Sequence, residues 1–377
     1  MINSNIMGLK MSNPLVIAPG PWTRGIKNLK NALLTNAGAI ITESIVSEAY
    51  PDLCPRYAYS QHGGVQNIRL YTALEFETWL DALEEVNKEN RYGSTSRLIA
   101  SVMGTTASEL RYIAKKVEKT GVDGIELGLA CPMGEGPDII AGDPHKVYEY
   151  TKAVVDSVSI PVSVKLSAAT GNLSAVVHAA EKAGASGISA IDTLKCILNI
   201  NIDTGKPDLP TYGGYSGAPI RPVALAAVAC IVQSTNLPVI GFGGIQNYEN
   251  LLEFIMLGAS AGGVGTEILL NGYDVIDRIL SDTGSWMEKH NIASLDEIRG
   301  ISLDELRSFE EIKEESKTAE LISGCDAVSG CGKCADCCLN GAIDLDNGAV
   351  TINEQACDGC GLCLSICPEN RIRLTWK

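Results

Sequence analysis

In Cys357-Asp358-Gly359-Cys360-Gly361-Leu362-Cys363-Leu364-Ser365-Ile366-Cys367-Pro368, four cysteines follow the spacing C-x2-C-x2-C-x3-C-P. With this spacing, three thiolates bind one [4Fe–4S] cluster and the fourth binds a second cluster. Thiolates suit iron–sulfur chemistry, and the short loops let one turn of backbone reach three corners of a cubane. A zinc site would need two pairs of ligands and has no use for the trailing Cys-Pro. The stretch therefore predicts a small α+β module of the bacterial-ferredoxin type that handles electrons.

A module with two clusters needs a second cysteine run, and residues 325–338 contain an irregular one. When the two runs are superposed, Cys331, Cys334 and Cys338 take the second, third and fourth positions. The first position falls on Val328, so Cys325 is the preferred substitute and Cys337 the alternative. The crossover rule then predicts two ligand sets, Cys325, Cys331, Cys334 and Cys367 for one cluster and Cys338, Cys357, Cys360 and Cys363 for the other. If neither Cys325 nor Cys337 ligates, a three-iron or labile cluster is expected.

The composition agrees with reduced, cluster-binding cysteines. Nine of the thirteen cysteines lie between Cys325 and Cys367, and the other four are scattered singly. The odd total and the absence of a signal-peptide pattern favour the cytoplasm over a disulfide-stabilised fold. No apolar run approaches the roughly 20 residues of a membrane span. The net charge of −15 argues against binding to nucleic acid or to an anionic membrane.

Upstream of the cysteines, short apolar runs alternate with amphipathic segments. Strands are predicted at residues 15–18, 39–42, 97–102, 124–127, 161–165, 187–191, 238–241 and 262–265. Helices are predicted between them at 108–120, 145–158, 173–183 and 248–257. Strands and helices alternating eightfold over about 270 residues predict a (β/α)8 TIM barrel rather than an open sheet. The whole chain is thus predicted to be an α/β protein with a barrel followed by the ferredoxin-like module.

Three parts of the chain are expected. The barrel covers residues 1–300, a helical linker covers 301–324, and the ferredoxin-like module with two [4Fe–4S] clusters covers 325–377. The linker is rich in acidic residues, and we interpret them as the solvated face of a helix.

Function in such barrels concentrates at the C-terminal ends of the strands. Glycine-rich segments follow the seventh strand, at 241–245, and the eighth, at 263–266, where backbone amides can approach a phosphate. Lys165 ends the fifth strand, where it could form a Schiff base or place a charge beside the N1/O2 edge of a flavin. Flavin exchanges one or two electrons and clusters exchange one, so a flavin is the cofactor expected of residues 1–300.

Cys131 follows the fourth strand and precedes a glycine-rich loop at 133–143. A lone cysteine at a strand end is ordinarily a small buried residue. Here the loop resembles an active-site flap with Gly134, Gly136 and Gly142 as hinges. A thiol whose ordinary pKa is about 8.5 can donate or accept a proton at a carbon. Cys131 is therefore predicted to be a catalytic acid or base.

These residues carry a family resemblance. Residues 1–290 resemble the flavin barrel of class 1 dihydroorotate dehydrogenases, and the whole chain is similar to the C-terminal half of dihydropyrimidine dehydrogenase. The segments that carry the resemblance are 124–132, 164–167, 212–222, 241–245, 264–266 and the two cysteine runs. The longest and most specific is 212–222, Tyr-Gly-Gly-Tyr-Ser-Gly-Ala-Pro-Ile-Arg-Pro.

The resemblance implies the cofactor, the chemistry and a set of residues. FMN would be bound through Lys165, Ser216, Gly217, Gly243, Gly244, Gly265 and Thr266, with Ala18 and Ser44 near the ring. Cys131 would exchange a proton with one carbon of a C=C bond, and hydride would pass between flavin N5 and the adjacent carbon. The clusters would carry electrons to or from FMN.

The chain departs from the family at the substrate pocket. Family members have Thr-Lys-Thr after the second strand, an asparagine two residues after the glutamate of the fourth strand, and Asn-Thr after the sixth. This chain has Glu43, Gly128 and Asp192-Thr193 there, and of the asparagines that hold the pyrimidine amide edges only Asn67 remains. Asn67, Glu43, Asp192 and Thr193 are the predicted substrate-binding residues.

These departures change the expected substrate. Two acceptor-only carboxylates would repel an anion such as orotate and leave the carbonyls of uracil without donors. They predict a substrate richer in donors, such as an amino-substituted or cationic unsaturated ring, or another activated alkene. If Glu43 instead reaches solvent or pairs with Arg24 or Arg69, a donor-rich substrate is no longer expected.

Two functions are open at this stage. The first is an FMN- and iron–sulfur-dependent oxidoreductase that reduces or forms a C=C bond in a small cyclic, pyrimidine-like molecule. The alternative is an electron-relay subunit of a larger complex with no small-molecule turnover of its own. No G-x-G-x-x-G fingerprint opens a strand–helix unit, so ferredoxin or an NAD(P)H-oxidising flavoprotein is the expected electron partner. A homodimer or a hetero-oligomer is expected.

Overall fold

The structure is a computed structural model of the chain. It describes residues 4–69, 71–93, 96–129, 140–312, 317–322, 325, 331–346 and 349–376. The chain divides into two compact units, Met1–Glu305 and Leu306–Lys377. Each unit is described by itself below.

The first unit is a closed barrel of eight parallel strands. In chain order the barrel strands are Leu15–Ile17, Ala39–Ile41, Arg97–Val102, Gly124–Gly128, Val162–Leu166, Gly187–Ala190, Val239–Phe242 and Ala261–Val264. Each pairs with the next, and the eighth pairs with the first, with Gly262 opposite Leu15 and Val264 opposite Ile17. The predicted TIM barrel is confirmed, and each of its eight strands ends within one residue of the predicted position.

The strands are apolar because both of their faces are buried. Leu15 and Ile17 of the first strand pack in the large cluster that includes the surrounding helices, whereas Val16 packs in a second cluster inside the barrel. The same inner cluster contains Ile6 and Met11 from a hairpin of strands Ser4–Ile6 and Leu9–Met11. This hairpin was not predicted, and it fills the interior of the barrel from below.

Helices surround the barrel. They span Gly25–Leu33, Phe76–Gly93, Ala107–Glu118, Pro144–Val155, Leu173–Lys182, Arg221–Ser234, Tyr248–Met256, Thr266–Asn271 and Asp274–Lys289, with 3-10 turns at Pro21–Thr23, Ala218–Ile220 and Leu295–Glu297. All four predicted helical segments are helices. Their starts are capped by polar side chains, as where Thr106 accepts a hydrogen bond from the backbone N–H of Glu109 and Asn247 from that of Asn250. None of the described helices is long and apolar enough to cross a membrane.

A second, antiparallel sheet is built from the loops that follow the second and sixth barrel strands. Its strands lie in the order Leu194–Cys196, Gly213–Gly217, Gly64–Asn67 and Tyr57–Tyr59. A small hairpin, Ile200–Asn201 with Lys206–Pro207, belongs to the same loop region. Because both loops leave the C-terminal ends of barrel strands, the sheet belongs to the functional end of the barrel.

The second unit has two short antiparallel sheets and two short helices. Lys317–Leu321 pairs with Ile372–Trp376, and Ile343–Asp346 pairs with Ala349–Ile352. The helices are Lys333–Asp336 and Leu362–Ile366, and a 3-10 turn spans Phe309–Glu311. The predicted ferredoxin-like fold class of this region is confirmed. Within the segment predicted as a helical linker, however, the structure has the 3-10 turn and the strand Lys317–Leu321, so these residues do not form a continuous helix.

Candidate functional site

A cleft lies at the C-terminal ends of the barrel strands. Its volume is about 930 Å³, including space open to solvent. Among its lining residues are most of the predicted cofactor and substrate residues, namely Ala18, Asn67, Lys165, Asp192, Thr193, Ser216, Gly217, Gly243, Gly244, Gly265 and Thr266. These residues come from the ends of the first, fifth, sixth, seventh and eighth barrel strands and from the sheet above. The fold therefore brings them together in one place.

Glycines shape one wall of this cleft. Gly217 has φ 98°, and a Cβ atom there would lie 2.3 Å from the carbonyl oxygen of Gly63. Gly244 has φ 77°, and its Cβ would lie 2.8 Å from Cβ of Arg221. Side chains are therefore excluded at both positions, and the backbones of two loops meet closely. Such a wall suits a phosphate, because backbone N–H groups can face it directly.

Hydroxyl groups join the two loops on the same side of the cleft. Thr266 Oγ1 donates a hydrogen bond to Ser216 Oγ over 2.8 Å. Thr266 is the first residue of the helix Thr266–Asn271, and Ser216 belongs to the sheet strand Gly213–Gly217. Hydroxyls and glycine amides together form a donor set that fits a phosphate-bearing cofactor.

Lys165 projects from the fifth barrel strand toward the cleft. Its Nζ lies 3.5 Å from Oε1 of Glu126 and 5.0 Å from the ring centre of Phe242. The lysine is therefore held between an acid and an aromatic face rather than extended into solvent. Sequence reasoning found Lys165 but assigned no role to Glu126, although an acid between Ile125 and Leu127 in a buried strand is an unusual feature that could have been noticed.

Glu43 and Ser44 do not line the described cleft. Glu43 is buried, and its Oε1 lies 3.2 Å from Nε of Arg69. Burial raises the pKa of Glu43, and the positive charge of Arg69 works in the opposite direction. Arg24 pairs with Asp52 instead, at 2.9 Å. Ser44 Oγ lies 3.3 Å from Ser101 Oγ.

This pairing corrects one expectation. A donor-rich substrate is expected only if Glu43 offers a free carboxylate to the pocket. Glu43 is paired with Arg69, so it adds no free carboxylate to the cleft. Of the two predicted acids, only Asp192 lines the cleft, and its Oδ1 accepts a hydrogen bond from the backbone N–H of Thr193.

The position of the missing asparagine is occupied by a neighbouring side chain. A Cβ atom at Gly128 would lie 2.7 Å from Cγ of Met103. Met103 is 7% exposed and packs with Val46 and Tyr71. An apolar thioether thus fills the space beside Gly128 and leaves no room for an amide.

Asn67 and Tyr57 face the cleft side by side. They are directly opposite each other in the pairing of Tyr57–Tyr59 with Gly64–Asn67. Asn67 Oδ1 accepts a hydrogen bond from the backbone N–H of Arg69 over 2.8 Å, which leaves its amide nitrogen for another partner. Tyr57 was missed by sequence reasoning; burial raises the pKa of its hydroxyl.

Cys131 and most of its glycine-rich loop lie outside the residues that the structure describes. The predicted role of Cys131 therefore stays a prediction. The described strand Gly124–Gly128 ends three residues before it, at the same end of the barrel as the cleft.

The cysteines of the second unit surround a separate cavity of about 350 Å³. Its lining includes Cys338, Cys357, Cys360 and Cys363, which is one of the two predicted ligand sets. Two of these sulfurs accept backbone hydrogen bonds, Cys357 Sγ from Ala319 over 3.3 Å and Cys338 Sγ from Ala342 over 3.2 Å. By contrast, the thiol of Cys337 donates to the carbonyl of Cys334. N–H groups directed at sulfur are one means by which proteins tune a cluster.

The titration of these thiols reflects their crowding. Burial, and then the charges of Cys337 and Cys357, raise the pKa of Cys363 to about 11. Burial also raises the pKa of Cys334, and the charges of Cys325 and Cys367 add to this effect. A coordinated metal removes such a penalty, because a coordinating thiol is deprotonated outright. In the described part of the chain no three His, Cys, Asp or Glu side chains are arranged to hold a metal ion by themselves, so the ligand sets stay predictions.

Comparison with known proteins assigns the class. The sequence model of the dihydroorotate dehydrogenase family matches residues 1–287, and that of a 4Fe-4S binding domain matches residues 349–372. The chain belongs to the dihydroorotate dehydrogenase family, and it is an oxidoreductase of the class that acts on CH–CH groups.

The relatives are catalytic subunits. The chain is 35% identical over 308 residues to the protein named dihydroorotate dehydrogenase B (NAD(+)), catalytic subunit, of Pyrococcus abyssi, a match that covers 80% of this chain and 99% of the relative. Proteins of the same name from Methanocaldococcus jannaschii and Bacillus pumilus are each 32% identical, over 80% of this chain and 98% and 96% of their own lengths. About a fifth of this chain therefore has no counterpart in these relatives.

Proposed function

We propose that the chain binds FMN in the barrel and two [4Fe–4S] clusters in residues 325–377, and that it reduces or forms a C=C bond in a small cyclic, pyrimidine-like molecule. The observation that supports this most directly is the cleft itself. Lys165, the glycines that follow the sixth, seventh and eighth barrel strands, and the Ser216–Thr266 hydroxyl pair line one space at the C-terminal ends of the barrel strands. That is where enzymes of this fold work.

The cofactor site follows from the donors in the cleft. Ser216, Thr266 and the backbone of Gly243, Gly244 and Gly265 would hold the phosphate, with Gly217 keeping the two loops in contact. Lys165 would lie beside the flavin ring, near Ala18. Bound FMN supplies hydride transfer and the exchange of one or two electrons, which connects chemistry in the cleft to one-electron clusters.

Proton transfer is assigned to Cys131. Asn67 would orient the substrate through its free amide nitrogen, and Asp192 and Thr193 would face the substrate from the opposite loop. Met103 occupies the space beside Gly128, and Glu43 is paired with Arg69, so neither position offers a free polar group to the substrate. We therefore infer a neutral ring with fewer polar edges than orotate.

The cysteine module would carry electrons to or from FMN. The relatives align without this part of the chain, so it is an addition to the catalytic barrel. The preferred ligand sets are those predicted from the spacing, with Cys325 rather than Cys337 in the irregular set. The charges of Cys325 and Cys367 both act on Cys334, which is in the same predicted set. Ferredoxin or an NAD(P)H-oxidising flavoprotein would exchange electrons with the clusters. A homodimer or hetero-oligomer is proposed.

The test is anaerobic reoxidation of the dithionite-reduced protein, followed in the flavin and cluster spectra. The panel contains uracil, thymine, orotate, amino-substituted pyrimidines and less polar cyclic enones. Wild type and Cys131→Ala are compared, because turnover needs the thiol and electron relay does not.

The outcomes separate the two functions. Reoxidation by a neutral ring in wild type but not in Cys131→Ala supports the proposal. Reoxidation by orotate as the best substrate overturns the substrate class. If no small molecule reoxidises the reduced protein, and ferredoxin exchanges electrons rapidly with both proteins, the enzymatic proposal is overturned in favour of a relay.

A further inference from the structure

Glu126 is a fully buried acid inside the barrel. Its side chain is 0% exposed, and neither carboxylate oxygen has a hydrogen-bond partner among the described residues. Its neighbours Ile125 and Leu127 pack on the outer face of the strand, so Glu126 points inward. The nearest opposite charge is Nζ of Lys165, 3.5 Å away, with a side chain 12% exposed.

Burying a carboxylate in this way lowers the stability of the folded protein. An ionised carboxylate in a protein interior loses its hydration, and an ion pair recovers this only partly. The carboxylate needs its partner, but the ammonium has other favourable surroundings, since it lies 5.0 Å from the ring centre of Phe242 and lines the cleft. The position of Lys165 at the cleft therefore does not depend on Glu126 alone.

The register of the strands shows how the pair is layered. Glu126 is opposite Ser163 on the neighbouring strand, and Gly128 is opposite Lys165. The acid thus starts one side-chain layer deeper in the barrel than the lysine. The Lys165 side chain reaches the cleft with its ammonium still within 3.5 Å of the acid below. Phe242, 5% exposed, also lines the cleft, and its ring centre lies 5.0 Å from the ammonium.

We propose that Glu126 is a positioning residue that holds the Lys165 ammonium and reduces its positive field on the flavin, and so sets the flavin's reduction potential. The inference rests on the proposed FMN site. Reduced flavin gains electron density at the N1/O2 edge, which a nearby cation stabilises, so charge at that edge tunes the cofactor. A carboxylate beside that cation opposes the effect and keeps the bound flavin more strongly reducing.

The sign of the effect can be measured. Glu126→Gln keeps the volume and removes the charge, so Lys165 acts on the flavin uncompensated. We expect reduced FMN to be bound about tenfold more tightly relative to oxidised FMN, which corresponds to a rise of about 30 mV for a two-electron couple. Glu126→Asp, which withdraws the carboxylate by one methylene, should give a smaller rise.

The experiment is a spectroelectrochemical titration of the FMN-loaded full-length protein, read in the flavin bands. The matched control is Ser163→Ala, since Ser163 is buried at the position paired with Glu126 and carries no charge. The same Glu126→Gln change is also made in a Lys165→Met background, where a residue acting through Lys165 has nothing left to act on.

The results discriminate the inference from the function on which it rests. A higher potential in Glu126→Gln, no change in Ser163→Ala and no further rise in the Lys165→Met background support it. An unchanged potential in Glu126→Gln and Glu126→Asp with FMN bound overturns it, as does an equal shift without Lys165. A wild-type protein that fails to bind FMN overturns the proposed function itself.

Discussion

Nε of Arg69 lies 3.2 Å from Oε1 of Glu43, and each of the two side chains is 7% exposed. The acid stands where the family has a lysine, and the arginine comes two residues after Asn67. The buried cation of this region is supplied by Arg69, from the same connection between the second and third barrel strands. Arg69 is also tied at Nη2 to Asp52, 3.0 Å away, and at Nε to the carbonyl of Tyr71. These contacts hold the guanidinium in a fixed position.

Removing Arg69 should leave the buried carboxylate of Glu43 without its partner and destabilise the fold. We expect Arg69→Met to lower the free energy of unfolding at pH 7 by about 3–5 kcal/mol, the usual effect of leaving one charge of a buried pair. Burial raises the pKa of Glu43 in the folded protein. The folded state therefore holds the proton more tightly, and the penalty is absent at acid pH and grows as pH rises through the folded-state pKa.

Chemical unfolding of Arg69→Met between pH 4 and pH 8 checks this, with Arg69→Met/Glu43→Gln as the matched control. The double variant should recover most of the loss and lose the pH dependence. Equal instability of the single and double variants would mean that Arg69 stabilises the fold through Asp52 and Tyr71 instead.

The asparagine that the family has at position 128 should be accommodated only if the side chain of Met103 is shortened. Gly128→Asn drives a side chain into Met103, 2.7 Å from the new Cβ, and overpacking of this kind costs about 1–3 kcal/mol. In Gly128→Asn/Met103→Ala the amide has room. The double variant should be more stable than the sum of the single changes by at least about 1 kcal/mol, and should gain reoxidation by uracil. Thermal unfolding and the reoxidation assay measure both effects. Strict additivity would show that the two side chains do not compete.

The two adjacent cysteines of the irregular run should behave differently. Cys338→Ser removes a sulfur that lines the cavity with Cys357, Cys360 and Cys363, so about half of the iron should be lost. Cys337→Ser, the matched control, should keep both clusters, because that thiol donates to a carbonyl. Iron and sulfide analysis with electron paramagnetic resonance of the reduced protein gives the count. The reverse pattern would make Cys337 the ligand.

The carboxylate of Glu109 contributes stability that is lost at acid pH. Burial acts to raise its pKa, but hydrogen bonds from Ser47 and Thr105 outweigh this and lower the pKa below the ordinary value of 4.5. The contribution is therefore present above about pH 4.5 and is lost as pH falls through the lower folded-state pKa. We expect Glu109→Gln to cost about 1–2 kcal/mol at pH 7 and progressively less in acid.

Urea unfolding at several pH values measures this difference. Glu84→Gln is the control, since Glu84 is an exposed helix residue whose loss should change stability by no more than about 0.5 kcal/mol. A difference between wild type and Glu109→Gln that does not vary with pH would contradict the assigned hydrogen bonds.

The barrel could be predicted because each of its strands is recognisable from its own local sequence. Runs such as Ile40–Ile41 and Leu98–Ile99 are apolar on both faces, which fits a parallel sheet under helices. The sheet above the cleft carried no such signal. Its strands are short and rich in glycine, and they depend on partners far along the chain, as where Asn67 pairs with Gly214. The same limit applies to Lys317–Leu321, an isolated stretch in an acidic region whose partner is Ile372–Trp376.

Most of the predicted cofactor and substrate residues line one cleft, but the contacts that Glu43 and Gly128 make were not predictable. Cysteine spacing and glycine positions identified the cluster module and the cleft, because these residue types have few other uses in those patterns. Glu43 contacts Arg69 across 26 residues of one long loop, and Gly128 at the end of the fourth barrel strand contacts Met103 after the third. No local pattern encodes such contacts, and both change the expected substrate. The contact of Glu126 with Lys165 likewise joins two strands and is fixed by their register.

The pairing of Lys317–Leu321 with Ile372–Trp376 also bears on how the module is made. The two strands bracket every cysteine from Cys325 to Cys367. A ribosome releases the chain from its N-terminal side, so the first strand waits unpaired until the second has been translated and has left the exit tunnel. By then all nine thiols have emerged. The sheet that fixes Ala319 against Cys357 therefore closes only after the whole module has been translated.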